Sequence, residues 1–420
     1  MNIKTIFCNK FLNKSLVTSW NKSLRRQFCI SSKTFERPFI LGIETSCDDT
    51  GAAVVDAKGN ILGDCVASQL RQHLAFGGII PPVAAELHRQ NIEKVVNTAL
   101  SDSGLKIEEI DSIAVTNRPG LALSLSVGLR YAKHLARKHG KSLIPIHHME
   151  AHALTVRMEN DVPLPFLSLL VSGGHCLLSI CKEIDKFLLL GESIDDAPGE
   201  AFDKIARRMK LRNLVEFRNM SGGQAIEIAA SRADKSREFD FPLPLARSKD
   251  CQFSFSGLKN TANRFTYFQE REHGTAKDDV FPGYENLCLG LLKGITRHIC
   301  HRTQRAIEFC EDQKILGENR ILVVSGGVAC NDFLFTAVSQ LGEQYGYKVL
   351  RPRRKLCTDN GVMIAWNGIE RYKIKSDVLE NFEHVMPLGK CKLGESWLDK
   401  VSKRQLACKW AKIPILRDED

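Results

Sequence analysis

Two stretches, residues 39–56 and 166–180, follow one plan, and that plan constrains the fold more than any other feature. The first reads F-I-L-G-I-E-T-S-C-D-D-T-G-A-A-V-V-D and the second F-L-S-L-L-V-S-G-G-H-C-L-L-S-I. In each, two apolar runs flank a short polar tip, the pattern of a β-hairpin. The first tip (Thr45, Ser46, Cys47, Asp48, Asp49, Thr50) is more acidic than a turn requires. Its carboxylates can hold a cation that bridges phosphates, and its hydroxyls and amides can bond phosphate oxygens; a plain turn is the alternative. At the second tip Ser172, Gly173 and Gly174 replace the acids, so backbone N–H groups can approach a phosphate closely. A further strand (321–331) ends in a small-residue turn before a helix, as the segment around Gly120 does. Two halves with one plan suggest an internal duplication with a ligand between them.

The stretch P-I-H-H-M-E-A-H, residues 145–152, sets His148 and His152 four residues apart. On a helix these positions share a face one turn apart, so the two imidazoles can hold one divalent ion. The H-E-x-x-H motif of zinc peptidases has the same spacing but places its base directly after the first histidine. Here Glu150 follows His148 by two positions, about 200° around a helix, which disfavours a peptidase. A surface helix with incidental histidines is the plain alternative. A metal site needs a third ligand from elsewhere in the chain, and the ligands are expected to be exposed in a cleft.

Composition narrows the class. The chain has 420 residues, 43% hydrophobic and 26% charged, which suits an ordinary globular enzyme of two domains. No run of 18 apolar residues occurs, so no transmembrane helix and no membrane partner are expected. The net charge of +10 is unevenly spread: residues 1–37 hold eight basic side chains against Glu36, and the rest holds 51 basic and 48 acidic. A basic, hydroxylated leader with scattered apolar residues is the pattern of a mitochondrial transit peptide over 1–37. The body is near neutral, so any contact with a polyanion must use local patches. The candidates are Arg351, Arg353, Arg354 and Lys355, with Arg207, Arg208, Lys210 and Arg212. Fourteen cysteines without a C-x-x-C spacing read as reduced thiols.

Other residues divide between structural and functional readings. His88 reads as a satisfied helix histidine, and Arg130, Lys133, Arg137, Lys138 and Lys141 as a solvated helix face. Asp203 lies on a helix, paired with a base or facing a ligand. Gly222 and Gly223 open a helix whose Glu227 points back to the same turn, where it could accept bonds from ribose hydroxyls. Asp359 stands at the mouth of an apolar helix, as an N-cap or as a ligand. Residues 231–285 are polar and read as an insertion.

Taken in order, G-I-E-T-S-C-D-D-T, H-H-M-E-A-H, L-L-V-S-G-G-H, G-E-S-I-D-D-A-P-G-E-A-F-D-K, F-S-F-S-G-L-K, S-G-G-V-A-C-N and C-T-D-N-G-V-M-I-A resemble the TsaD family of tRNA threonylcarbamoyladenosine synthases over residues 38–370. With the leader, the chain resembles the mitochondrial branch. The resemblance implies an α/β, two-lobed duplicated fold of the actin, sugar kinase and heat-shock ATPase type. It implies a first lobe at 38–155 joined by about 358–380, a second at 160–357, and a tail at 381–420. It further implies transfer of a threonylcarbamoyl group from threonylcarbamoyl-AMP to the exocyclic amine of adenosine 37, 3′ to the anticodon, in mitochondrial tRNAs reading ANN codons. Carried over by motif, one divalent ion, zinc or iron, falls on His148, His152 and Asp359. The substrate loop falls on Leu170, Val171, Ser172, Gly173 and Gly174, and adenylate contacts on Asp203, Gly223, Glu227 and Asn331. The partners implied are tRNA and the adenylate; a homodimer stays open. Two departures stand out: the link before Ser221 is long, and position 147 is a second histidine, whose helical phase puts it on another face. The alternative from another class is an ATP-dependent kinase or ATPase of the same fold, which would keep the acidic hairpin without needing a histidine clip.

Overall fold

The computed structural model describes residues 35–417, so the expected leader lies almost wholly outside the described residues. Its expected last residues belong to the body. Glu36 N donates to Asp56 Oδ2 at 3.3 Å and Arg37 pairs with Asp111.

In the first half, β1 (Ile40–Glu44), β2 (Asp49–Val55) and β3 (Ile61–Ser68) form an antiparallel meander. Two short-looped helices follow, α1 (Leu70–Phe76) and α2 (Pro81–Ser103). Proline at the first position of α2 and a left-handed Gly104 after its last turn fix its ends. Next come β4 (Ser112–Arg118), α3 (Ala122–His139), β5 (Ser142–His147) and α4 (His148–Leu154). The sheet order is β3-β2-β1-β4-β5, with β1, β4 and β5 parallel.

The second half repeats this with β6 (Phe166–Val171), β7 (Cys176–Glu183) and β8 (Lys186–Glu192). After α5 (Pro198–Arg208), α6 (Gly222–Ala230), α7 (Ser256–Glu272) and α8 (Tyr284–Gln313) come β9 (Ile321–Ser325), α9 (Asp332–Gln344) and β10 (Lys348–Leu350). The order β8-β7-β6-β9-β10 matches that of the first sheet strand for strand. The duplication expected from the two hairpins is therefore present in the topology. Strands buried on both faces explain the continuous apolar runs.

The chain then returns through α10 (Arg354–Cys357) and α11 (Gly361–Lys373) to the first sheet. A Cβ on Gly42 would lie 2.3 Å from Ala365 N, and one on Gly361 2.3 Å from Ala52 C. Glycine at both positions lets α11 lie backbone against backbone on β1 and β2, which fixes where Asp359 arrives.

Two expectations change, and one gains detail. The polar segment 231–285, expected as an insertion, is anchored by Phe239, Phe241, Phe253, Phe255 and Phe281, which are buried in the core of the second sheet; widely spaced phenylalanines suffice to hold a polar loop. Asp195 accepts bonds from Ser254 Oγ, Phe255 N and Ser256 Oγ at 2.6–2.8 Å, joining two of the quoted motifs. Residues 381–420 are no tail through 417. Phe382 and Val385 enter the first core, β11 (Glu395–Ser396) pairs with β8, α12 (Leu398–Arg404) follows, and Val401 and Ile413 enter the second core. Lys133, expected on a solvated face, is buried under this segment and donates to Glu383 O at 2.9 Å. His88 is satisfied as expected, between Thr50 Oγ1 (2.7 Å) and Cys47 O (3.1 Å).

Candidate active site

Strand ends deliver the reactive side chains to one place. β5 runs directly into α4, whose seven residues are all buried, so the histidine pair lies in the middle of the protein and not on a surface helix. The expectation of exposed ligands fails for this reason: α4 lies among the cores of both halves. His148 Nε2 and His152 Nε2 stand 3.5 and 3.1 Å from Asp359 Oδ1, and the donor atoms of the three residues all lie within 4.8 Å of one another. Asp359 does not cap its helix. Asn360 does, its side chain accepting from Met363 N at 2.9 Å, so the aspartate is free to face the histidines. Glu150 turns away as its helical phase requires and meets buried Arg371 at 2.6 Å. His147 caps α4 through Met149 N and takes no part in the cluster.

Nitrogen and carboxylate donors sharing an ion at about 2.1 Å lie roughly 3.0–3.4 Å apart, so this donor set fits one divalent cation. Sequence reasoning missed the group behind it. Glu44, fully buried at the end of β1, places Oε2 3.2 Å from His148 Nδ1 and accepts from Thr116 Oγ1 and Ser46 N at 2.5 Å each. Ser46 Oγ adds a contact to His148 Nδ1 at 3.1 Å. A carboxylate on the far nitrogen of a ligating histidine fixes its ring and its tautomer. The available signal was a lone acid ending an otherwise apolar strand, which burial makes costly unless it is paired.

Charge around the histidine pair is balanced internally. Burial opposes the imidazolium of His148, but the Asp359 and Glu44 carboxylates outweigh it and lift its pKa to about 9. Burial likewise opposes ionisation of Asp359, and His148 and His152 reverse it, holding the carboxyl well below its usual range. On the first tip, burial and then Asp48 push Asp49 up to about 7. His175, at the second tip, is held down to about 4 by burial and then by His148 and His152. No role had been assigned to His175 from sequence.

The remaining expected residues gather in two groups. Ser172 N bonds His175 O at 2.8 Å, while Gly199 N and Glu200 N bond Ser172 O and Gly173 O at 3.2 Å. A Cβ at Gly173 or Gly174 would meet nothing within 4 Å, so one face of that turn is open, while the other packs against Gly199. Leu170 and Val171 bury their side chains in two different cores, leaving only their backbone to a ligand. Asp203 Oδ1 accepts from Gly222 N at 2.6 Å, pairing with backbone and not with a base. Gly223 lies beside it at the start of α6. Glu227 does not point back to that turn. It accepts from Asp332 N at 2.6 Å and so caps α9, because the helix presents unpaired N–H groups within its reach. Asn331 caps the same helix through Leu334 N at 2.9 Å, and its Nδ2 is buried without a partner. The first tip reaches the site through Ser46 Oγ at His148 Nδ1; Thr45 Oγ1 donates to Ser124 O at 3.0 Å, and Cys47 is a free thiol.

The basic patches are mostly neutralised. Arg208 and Lys210 bond Glu270, Arg351 and Arg354 bond Asp332, Arg353 bonds Glu159, and Lys355 bonds Asp64. Arg212 donates to Leu74 O at 2.6 Å.

Comparison with known proteins follows this geometry. Residues 60–366 match the family model "TsaD: tRNA N6-adenosine threonylcarbamoyltransferase". A Drosophila melanogaster protein named probable tRNA N6-adenosine threonylcarbamoyltransferase, mitochondrial, is 46% identical, covering 89% of this chain and 93% of its own. A Homo sapiens protein named tRNA N6-adenosine threonylcarbamoyltransferase, mitochondrial, is 44% identical over 92% of each chain. Among solved structures, T. kodakarensis HypF aligns with a TM-score of 0.50 at 12% identity, over 83% of this chain and 49% of that one, a likeness of fold alone.

Proposed function

The chain belongs to the TsaD family of tRNA N6-adenosine threonylcarbamoyltransferases, and from that premise we propose that its cleft moves a threonylcarbamoyl group from threonylcarbamoyl-AMP to adenosine 37 of mitochondrial tRNAs reading ANN codons. Its fold is the duplicated α/β fold of actin and sugar kinases, and it is a transferase that modifies tRNA. The carrying observation is the convergence of His148, His152 and Asp359, with Glu44 behind, beside the open Ser172–Gly174 turn.

In this reading the exocyclic amine attacks the carbamoyl carbon, the bond from that carbon to the AMP phosphate oxygen breaks, and the amine proton passes to the departing phosphate or to water. The donor is already an activated anhydride, so the protein chiefly positions it and stabilises charge. His148, His152 and Asp359 would hold a divalent ion, zinc or iron, which would supply Lewis-acid polarisation of a phosphate or carbonyl oxygen. Glu44 and Ser46 keep His148 oriented. The amides of Gly173 and Gly174 face the acyl phosphate, while Ser172 N, bonded to His175 O, holds the turn in shape. Asp203, Gly223, Glu227 and Asn331 hold the nucleoside, with Asn331 Nδ2 offering an unused donor and Glu227 a second carboxylate oxygen. A partly protonated Asp49, its pKa raised to about 7, lowers the negative charge that a phosphate meets at the Thr45, Ser46, Cys47, Asp48, Asp49 tip. The mitochondrial relatives and the basic leader support action inside that organelle.

The test supplies the adenylate and unmodified tRNA to the purified, metal-loaded chain and follows modified adenosine by mass spectrometry. Formation of threonylcarbamoyladenosine is expected. Brisk phosphate release from ATP with no tRNA modification would favour the kinase-like reading instead.

A further inference from the structure

The charge of the body is confined to one segment. Residues 38–389 hold 43 basic and 43 acidic side chains, whereas 390–417 hold eight basic and two acidic. This stretch lies beyond residues 60–366 matched by the family model.

Its backbone is pinned along the second half. Gly389 O accepts from Gly120 N at 3.1 Å, and the adjoining Leu121 N bonds Ser46 O at 2.8 Å, so the segment departs from beside the first hairpin tip. β11 then joins the sheet edge, and residues 405–413 run without regular secondary structure. There Gln304 grips Lys409 O at 2.8 Å and Ala411 N at 3.0 Å, and Gln344 Nε2 donates to Lys412 O at 3.1 Å. Gln344 ends α9, whose first turn carries the Asn331 and Glu227 contacts. Thirteen helical residues separate those ends by about 20 Å.

The side chains point outward. Arg404 and Lys392 pair with Asp312 and Glu192, but Lys390, Lys403, Lys409 and Lys412 are exposed and have no acidic partner among the described residues. A fixed backbone carrying unpaired ammonium groups outward from a cleft is suited to a polyanion with regularly spaced charges. In the earlier patches Arg208, Lys210, Arg351, Arg353, Arg354 and Lys355 already pair with carboxylates, which leaves Arg207 as an exposed cation without an ion pair among the described residues.

We propose that this C-terminal strap is the surface on which the tRNA backbone lies while its anticodon loop enters the cleft. This deepens the proposed function and rests on it. The phosphate contacts would set register and affinity without reading sequence.

The experiment compares the full chain with K403Q/K409Q/K412Q and with K94Q/K138Q/K314Q, a control of equal charge change on exposed lysines elsewhere. Binding of an unmodified tRNA transcript is followed by fluorescence anisotropy across a salt series, with melting temperature as the folding check. The strap variant should bind at least about tenfold more weakly and lose about two to three units of log-log salt slope, at 0.7–0.9 per contact; the control should change by less than one unit. Removing the acids 418–420 should tighten binding. An unchanged slope in the strap variant, or an equal loss in the control, overturns the proposal. So does a strap variant that loses binding to anionic vesicles while keeping tRNA affinity. In each of these cases a wild-type chain that modifies tRNA leaves the proposed function standing, whereas a wild-type chain that neither binds nor modifies tRNA defeats that function first.

Discussion

At the scale of single residues, Glu44 and Asp359 divide one task. Asp359 offers its oxygen to the cluster directly, and Glu44 acts through His148 Nδ1. Asp359→Ala should abolish stoichiometric metal, while Glu44→Gln should keep all three ligands yet weaken the ion by roughly 10–100-fold. Chelator competition and elemental analysis distinguish them, and wild-type affinity in Glu44→Gln would remove the positioning role. Asp49 gives a pH signature. Its carboxyl titrates near 3.8 when unperturbed and near 7 in the fold, raised by burial and then by Asp48. Between those values the unfolded chain loses a proton that the native state keeps, so stability falls as pH rises through the window. Asp49→Asn removes that loss. It should unfold at higher urea than wild type near pH 7.5, by up to about 4 kcal/mol, and match it near pH 4. A difference constant with pH would contradict the raised pKa.

At the scale of elements, the meeting of α11 with β1 and β2 is decided by glycine. Gly42→Ala would drive a methyl into the Ala365 backbone at 2.3 Å, and neither partner is a flexible side chain. Overpacking of this kind costs about 1–3 kcal/mol, and any retreat of α11 carries Asp359 away from His152. Thermal unfolding should show a lowered melting temperature together with reduced metal retention. An unchanged melt with full metal would mean that α11 does not bear on the sheet this closely. The hairpins, α2 and the histidine helix were legible from local periodicity and end signals. The direction of Glu227 was not, because capping α9 depends on a helix 105 residues away.

For the whole molecule, the boundary between leader and body can be tested on protein recovered from the organelle. Glu36 and Arg37 are bonded to Asp56 and Asp111, so mass spectrometry of the mature chain should find its first residue at or before Glu36 and after about residue 25. An intact Met1 would count against a transit peptide. By itself the sequence determined the paired hairpins, the duplicated order of elements and the spacing of His148 and His152, and the family motifs pointed to the distant Asp359. Those features reside in neighbours along the chain or in motifs that survive without coordinates. Only tertiary structure decided that the histidines are buried, that Glu44 and His175 belong with them, that Arg353 and Arg208 are spent on carboxylates, and that 390–417 is a fixed strap. Each of these depends on which groups meet between separate segments of the chain, and burial and charge pairing are settled by packing, not by local pattern.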